Sequence, residues 1–365
     1  MAYGSIPFNH YLLEKNLTDI GTYLTELRYI DQVVTYLDSV ASSLWEVIRE
    51  GLGSAGTSGH SDIVVDFTGT APFRRAWRLP EGGGPGLSWR DQNEDEAWQQ
   101  IRKYEVEARE WAGANLTTIR EMVTPMLHPA GSVYLDDMIW PVRDALHRLE
   151  DHVPNDFGKL TYSLGDWKGD AAQEFAANFY HPFQHTLESH RRMLSAFAGS
   201  LASARAIVEA TQQSLMNVVH HTREALLEQL RLRSQHAAAD SEKSVKNVLV
   251  LASAVVPVFT SDNRWEVGLE LAGAAAALGE AAMKEHVLTG STAEELLLAL
   301  TGALTVIENH SGDQYVALDR EVQNVLARMK SILHRPDGED GQLVPSRPRL
   351  VDGTDSSDFY MPAAR

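Results

Sequence analysis

Between Phe183 and Gln229 side chains return at alternating steps of four and three: Phe183, Leu187, His190, Leu194, Phe197, Leu201, Ala204, Val208, Thr211, Leu215, Val218, Thr222, Ala225 and Gln229. Ten of these fourteen positions are apolar, which keeps one stripe on one side of an α-helix and suits a coiled-coil-like seam. A helix from Phe183 to Arg233 extends about 75 Å at 1.5 Å rise per residue. An element of that length restricts the chain to folds in which other long helices lie along it.

Other segments repeat the pattern. Leu17, Ile20, Leu24, Leu27, Ile30, Val34, Leu37, Ala41, Leu44 and Ile48 predict one amphipathic helix ending near Gly51 and Gly53. A helix is expected from Asn93 to about Met126, opened by Glu94, Asp95 and Glu96, whose charges suit the positive end of the helix dipole. Leu135, Ile139, Val142, Leu146, Leu149, Val153, Phe157, Leu160 and Leu164 predict another, which Pro141 and Pro154 should kink or divide. The last helix is expected from Thr292 to Leu333, with a break near Ser311-Gly312. The fold class is therefore all-α: a long antiparallel helical hairpin or bundle with coiled-coil-like packing, and a small irregular or β-hairpin insertion near 60–90. The insertion is signalled by Ile63-Val64-Val65-Asp66-Phe67 within a Gly/Pro-rich stretch. The expected organisation is an N-terminal helix (1–50), a Gly/Pro-rich excursion (51–93), a helical hairpin (94–240), an apolar Ala/Gly-rich helical hairpin (241–290), a C-terminal helix (291–334) and a flexible tail (335–365).

Composition narrows the function. A net charge of −18 repels phosphate backbones, and the densest basic stretch, Arg223 to Arg233, is interleaved with Glu224 and Glu228, so nucleic acid is not an expected partner. With no cysteine the chain has no disulfide framework, no thiolate metal site and no thiol nucleophile. No H-E-x-x-H, G-x-S-x-G, Walker or Rossmann pattern occurs, and the Glu-x-x-His pairs of di-iron bundles are missing. His181 and His185 lie one turn apart, but Pro182 intervenes and no third ligand suggests itself. No catalytic residue, cofactor or metal is assigned, and the chain is read as non-enzymatic. Val248 to Phe259 is nearly all apolar, yet neither half of 245–283 reaches the roughly 18–20 apolar residues of a membrane-spanning helix.

The joint between the patterned segments is Trp167-Lys168-Gly169, continuing as Asp170-Ala171-Ala172-Gln173-Glu174-Phe175. Asp166 or Gly169 can cap the following helix, Asp170 favours its positive end, and the alanines allow close approach of helices. Trp167 and Phe175 can staple the turn. With eight tryptophans and 26 glycines, W-x-G arises by chance nearly as often as not, and Trp111-Ala112-Gly113 is a second match, so context carries the motif. In that context residues 133–235 resemble the Trp-x-Gly proteins exported by type VII (ESX) secretion systems of Gram-positive bacteria, in the extended PPE- and EspB-like form. The resemblance implies a helical hairpin with W-x-G at its turn and a Y-x-x-x-D/E export signal, which Tyr315 and Asp319 match, as do Tyr162 and Asp166. It further implies a protein partner: a small Trp-x-Gly protein, the secretion machinery or a second copy. Secretion or cell-surface display by a leaderless route is then expected, with a cytoplasmic location as the alternative. The competing function is a pore-forming or membrane-active toxin using an apolar hairpin at 245–283, with Val250, Val256 and Phe259 in contact with the membrane.

Overall fold

A computed structural model describes residues 8–40, 62–78, 87–127, 131–235, 245–251, 284–290 and 292–333. The described chain is predominantly helical, with two small antiparallel sheets of two strands each. It divides into two compact units, residues 1–128, 210–253 and 282–311 in the first, and 129–209, 254–281 and 312–365 in the second.

The first unit is built on α1 (His10–Val40) and α2 (Leu87–Val123), with a 3-10 turn at Thr124–Met126. Asn9 starts α1: its carboxamide oxygen accepts the Leu12 N–H at 3.0 Å, satisfying one of the helix's orphan donors. Leu13, Leu17, Ile20, Leu24, Leu27, Val33 and Leu37 are completely buried, following the three-four spacing of the sequence. The stripe runs through Val33 rather than Val34, which is only half-buried. Each such side chain contributes about 1.5–3 kcal/mol relative to exposure. Gly21 is there for proximity: a Cβ on it would stand 2.8 Å from Leu116 Cδ2 of α2. The same core takes Leu215, Met216, Val219 and Leu226 from α6 (His181–Gln235) and Leu296, Leu300, Leu304 and Ile307 from α7 (Ala293–Leu333).

Strands β1 (Asp62–Phe67) and β2 (Phe73–Arg78) form the β-hairpin expected from Ile63–Phe67, in register from Asp62 with Arg78 to Phe67 with Phe73. Alternation decides its faces: Ile63, Val65 and Phe67 are buried, while Asp66 faces solvent opposite Arg74 and pairs with it. The Glu26 carboxylate on α1 accepts the Thr70 N–H and hydroxyl, each at 3.0 Å, and Asp38 accepts the Trp77 indole N–H at 2.8 Å. The hairpin is thereby clamped to α1 at both ends.

Three expectations need correction. The helical hairpin expected over 241–290 is not what its described residues form: β3 (Val245–Leu251) pairs antiparallel with β4 (Lys284–Gly290), Val245 opposite Gly290 and Leu251 opposite Lys284. A short apolar run such as Val248 to Leu251 cannot be told from a helix segment by periodicity, and here the β-branched Val245, Val248 and Val250 favour the strand. Residues 252–283, with Val256 and Phe259, lie outside the described residues, as do 41–61 and the tail from 334. Second, α7 runs unbroken through Ser311-Gly312, because Gly312 costs a helix only about 1 kcal/mol and neighbouring turns supply its hydrogen bonds. Third, Pro141 does not divide the helix: it lies inside a continuous α3 (Gly131–His147). Pro141 and Asp137, whose carbonyl loses its donor, are both exposed, so water can take the place of the missing N–H.

The second unit holds α3, α4 (Val153–Leu164), α5 (Asp170–Phe175) and the first part of α6. Two π turns, Arg148–His152 and Ala176–Tyr180, interrupt these helices, each closed by a wide bond: Val153 N–H to the Arg148 carbonyl and His181 N–H to the Ala176 carbonyl. Pro154 and Pro182 each come one residue later, after Val153 and His181. A proline supplies no N–H to the preceding turn, and widening that turn by one residue accommodates the loss.

Candidate functional site

The Trp167 joint lies in the second unit. Helix α4 ends at Leu164, and Gly165 donates its N–H to the Tyr162 carbonyl at 3.2 Å. Gly169 then adopts φ +107°, ψ −178°, a conformation essentially closed to residues with a Cβ. It is the N-cap of α5, but through its backbone: its carbonyl accepts the N–H groups of Ala172 and Gln173, both at 3.1 Å. The glycine of the motif is therefore required by backbone geometry. Trp111-Ala112-Gly113 shows the contrast. It lies in the middle of α2, with the Arg28 guanidinium 5.2 Å from the Trp111 ring, and makes no turn.

From this joint an aromatic series runs along one side of the helix. Trp167 contacts Phe175 at 5.5 Å between ring centroids, Phe175 contacts Phe179 at 5.2 Å, and Phe179 contacts Phe183 at 5.7 Å. Phe183 stacks on Phe157 of α4 at 4.8 Å, and Phe157 stacks on Tyr180 at 5.1 Å. Every ring of the series is at least partly accessible, and Trp167 is 42% exposed. Two open recesses flank it. One of about 460 Å³ is lined by Trp167, Lys168, Phe175, Tyr180 and His181. The other, about 580 Å³, sets Phe157, Tyr180 and Leu187 beside Glu150, Glu188 and Arg191. Burial works against the Glu188 carboxylate, but hydrogen bonds from Arg191 and Arg192, each at 2.9 Å, outweigh it and hold its pKa below the ordinary value. Such a surface, half-buried rings beside a fixed ion cluster, suits capture of a protein segment.

Of the other residues singled out from sequence, Tyr315 and Asp319 share α7 one turn apart and both are exposed, with partial burial pushing the Tyr315 phenol above its usual pKa. Tyr162 is 89% exposed on α4, but Asp166 lies beyond the end of that helix, so this second match does not form a helical pair. Val250 sits in β3. Among the described residues no group of three His, Asp or Glu could hold a metal ion, and no helix is long and apolar enough to cross a membrane.

One cluster escaped the sequence reading. In the first unit Arg233, near the end of α6, reaches Asp31 of α1 at 3.0 Å. Asp38, one heptad further along α1, takes the Trp77 indole N–H and lies 4.0 Å from Arg75. Burial raises Asp31 to about 6 despite Arg233, and burial lowers Arg75 to about 10 despite Asp38. The available signal was the seven-residue spacing of the two aspartates on one helix face, but their partners come from distant parts of the chain.

No protein-family model, no curated protein and no solved structure matches this chain.

Proposed function

We propose that this is a non-enzymatic helical protein of the type VII secretion kind, a substrate or secretion partner that acts through protein contacts at the Trp167 joint. The half-exposed aromatic series leading from that joint is the observation that carries the reading. The arms on either side of the joint form an antiparallel helical hairpin in this proposal. In support, Arg205 pairs with Asp136, Arg191 stands 3.7 Å from Glu150, and Phe157 stacks on Tyr180 and Phe183. Each of these pairs straddles Asp170 at near-equal sequence distance, which is the signature of two arms folded back on one another. Tyr315 and Asp319, exposed on one helix face, supply the recognition element for the secretion apparatus. A small Trp-x-Gly protein is the proposed partner.

The test is export from a Gram-positive host carrying the system. Trp167→Ala, Gly169→Ala and Tyr315→Ala chains that retain their helical circular-dichroism signal should accumulate in the cytoplasm while the parent chain reaches the medium. Export of all three at the parental level sinks the reading.

A further inference from the structure

Helix α7 has an outer face unlike that of an ordinary surface helix. Its inner face, Leu296, Leu300, Ala303, Leu304, Ile307 and Leu318, is buried. Directly opposite, at steps of four, three, four, three and four, run Leu298, Gly302, Thr305, Asn309, Gly312 and Val316, all exposed. The line farthest from the core is where a helix normally carries its charges, yet none of the six is charged, in a chain of net charge −18. At its two ends Leu298 is 73% and Val316 60% exposed, the highest values among the described leucine, isoleucine, valine and methionine side chains. Among the described residues no atom outside the helix's own backbone lies within 4 Å of a Cβ built on Gly302 or Gly312, so the described structure leaves the space above both glycines open.

The order of these residues names the occupant. Read from either end the line runs aliphatic, glycine, polar, polar, glycine, aliphatic. A second copy laid antiparallel, with its two-fold axis at Ile307, therefore meets it position for position. Leu298 packs on Val316 of the other copy, Gly302 faces Gly312, and the Asn309 carboxamide reaches the Thr305 hydroxyl oxygen, whose own proton is already donated to the Thr301 carbonyl at 3.0 Å. Steps of four and three are the heptad spacing of a two-helix seam, paired glycines let backbones approach closely, and a polar pair at the centre fixes the register. Isologous two-fold contact requires a surface complementary to itself. We propose that this face of α7 is a homodimer interface in which two copies pair antiparallel along Leu298–Val316. It does not rest on the secretion reading, since it uses neither the Trp167 joint nor Tyr315.

Glu308 borders the seam near the two-fold axis and meets its own mate, so its charge opposes the pairing. Because the chain has no cysteine, Gly302→Cys and Gly312→Cys chains report the geometry directly. Under mild oxidation a mixture of the two should form a disulfide-linked dimer, while either alone should give roughly tenfold less, no more than a Thr117→Cys collision control. In sedimentation equilibrium of the full chain, Val316→Glu should weaken dimerisation roughly tenfold or more and Glu308→Gln should strengthen it several-fold, with circular dichroism unchanged. A monomeric parent chain, or cross-linking of a single variant as efficient as that of the mixture, overturns the proposal.

Discussion

The two units solve the same problem of housing long helices with different materials. In the first, the inward faces of α1, α2, α6 and α7 are lined by fully buried leucine, isoleucine and valine, and the β-hairpin is clamped to α1 by directed hydrogen bonds. In the second, Ile139, Leu146, Ile207 and Val208 are buried, but Trp140, Tyr162, Trp167 and Phe197 stand exposed. Aliphatic burial is what stabilises a fold, and accessible rings are what a partner grips. The difference assigns stability chiefly to the first unit and recognition to the second.

The largest expected effect tests the stabilising half. Leu24→Ala should cost about 2–5 kcal/mol in denaturant unfolding, because the site is fully enclosed by other helices. A loss below about 1 kcal/mol would mean that the first unit is not the stabilising one.

Acid separates the units by sign. Asp31 in the first has a folded pKa of about 6, above its unfolded value, so the folded state holds the extra proton between about pH 4 and 6. That unit should therefore become more stable as pH falls through 6 and less stable as it rises, levelling off above about pH 7. The total is about 3 kcal/mol at most, and Asp31→Asn should remove the slope. Glu188 in the second unit is shifted the other way, so its contribution is present above the unfolded pKa and is lost as pH falls through the folded value. Hydrogen exchange resolved by segment, followed from pH 7 to 4, should show protection rising in α1 first and falling around Glu188 only at the acid end.

Gly169→Ala should cost about 1–3 kcal/mol, felt as faster exchange around α5 with the α1 amides unchanged. The smallest effect is the most informative about function. Trp140→Ala, at a ring 70% exposed, should alter stability by no more than about 0.5 kcal/mol. A large loss there would show that the exposed rings of the second unit are structural after all.

Much of the first unit was legible in the sequence because its signals are local and periodic. The α1 stripe appears with one shift, from Val34 to Val33, and the α6 seam is buried from Leu201 to Gln229 apart from half-buried Ala204. Phe197, on the same line, is exposed, since periodicity states which face a residue occupies and not whether anything covers it. The β-hairpin was readable from Ile63–Phe67 and its flanking breakers. Pairing of β3 with β4 was not, because the partner strand lies far along the chain and an apolar run as short as Val248 to Leu251 carries no period of its own. At the candidate site the turn and the Trp167–Phe175 contact were legible. The π turns were not anticipated, although Pro154 and Pro182 mark both, and the Asp31–Arg233 pair joins residues no local rule connects.

Gly169 has a consequence for handedness. Reflecting its dihedral angles gives φ −107° and ψ near 180°, ordinary extended backbone for an L-residue. The turn is therefore shaped for a residue of the opposite chirality, and glycine is the only encoded amino acid that can stand in for one. A semisynthetic chain with D-alanine at position 169 should keep the joint and hold it more rigidly than glycine does, whereas L-alanine strains it. No single-codon change can reproduce that gain, so the ribosome can build this corner in only one way.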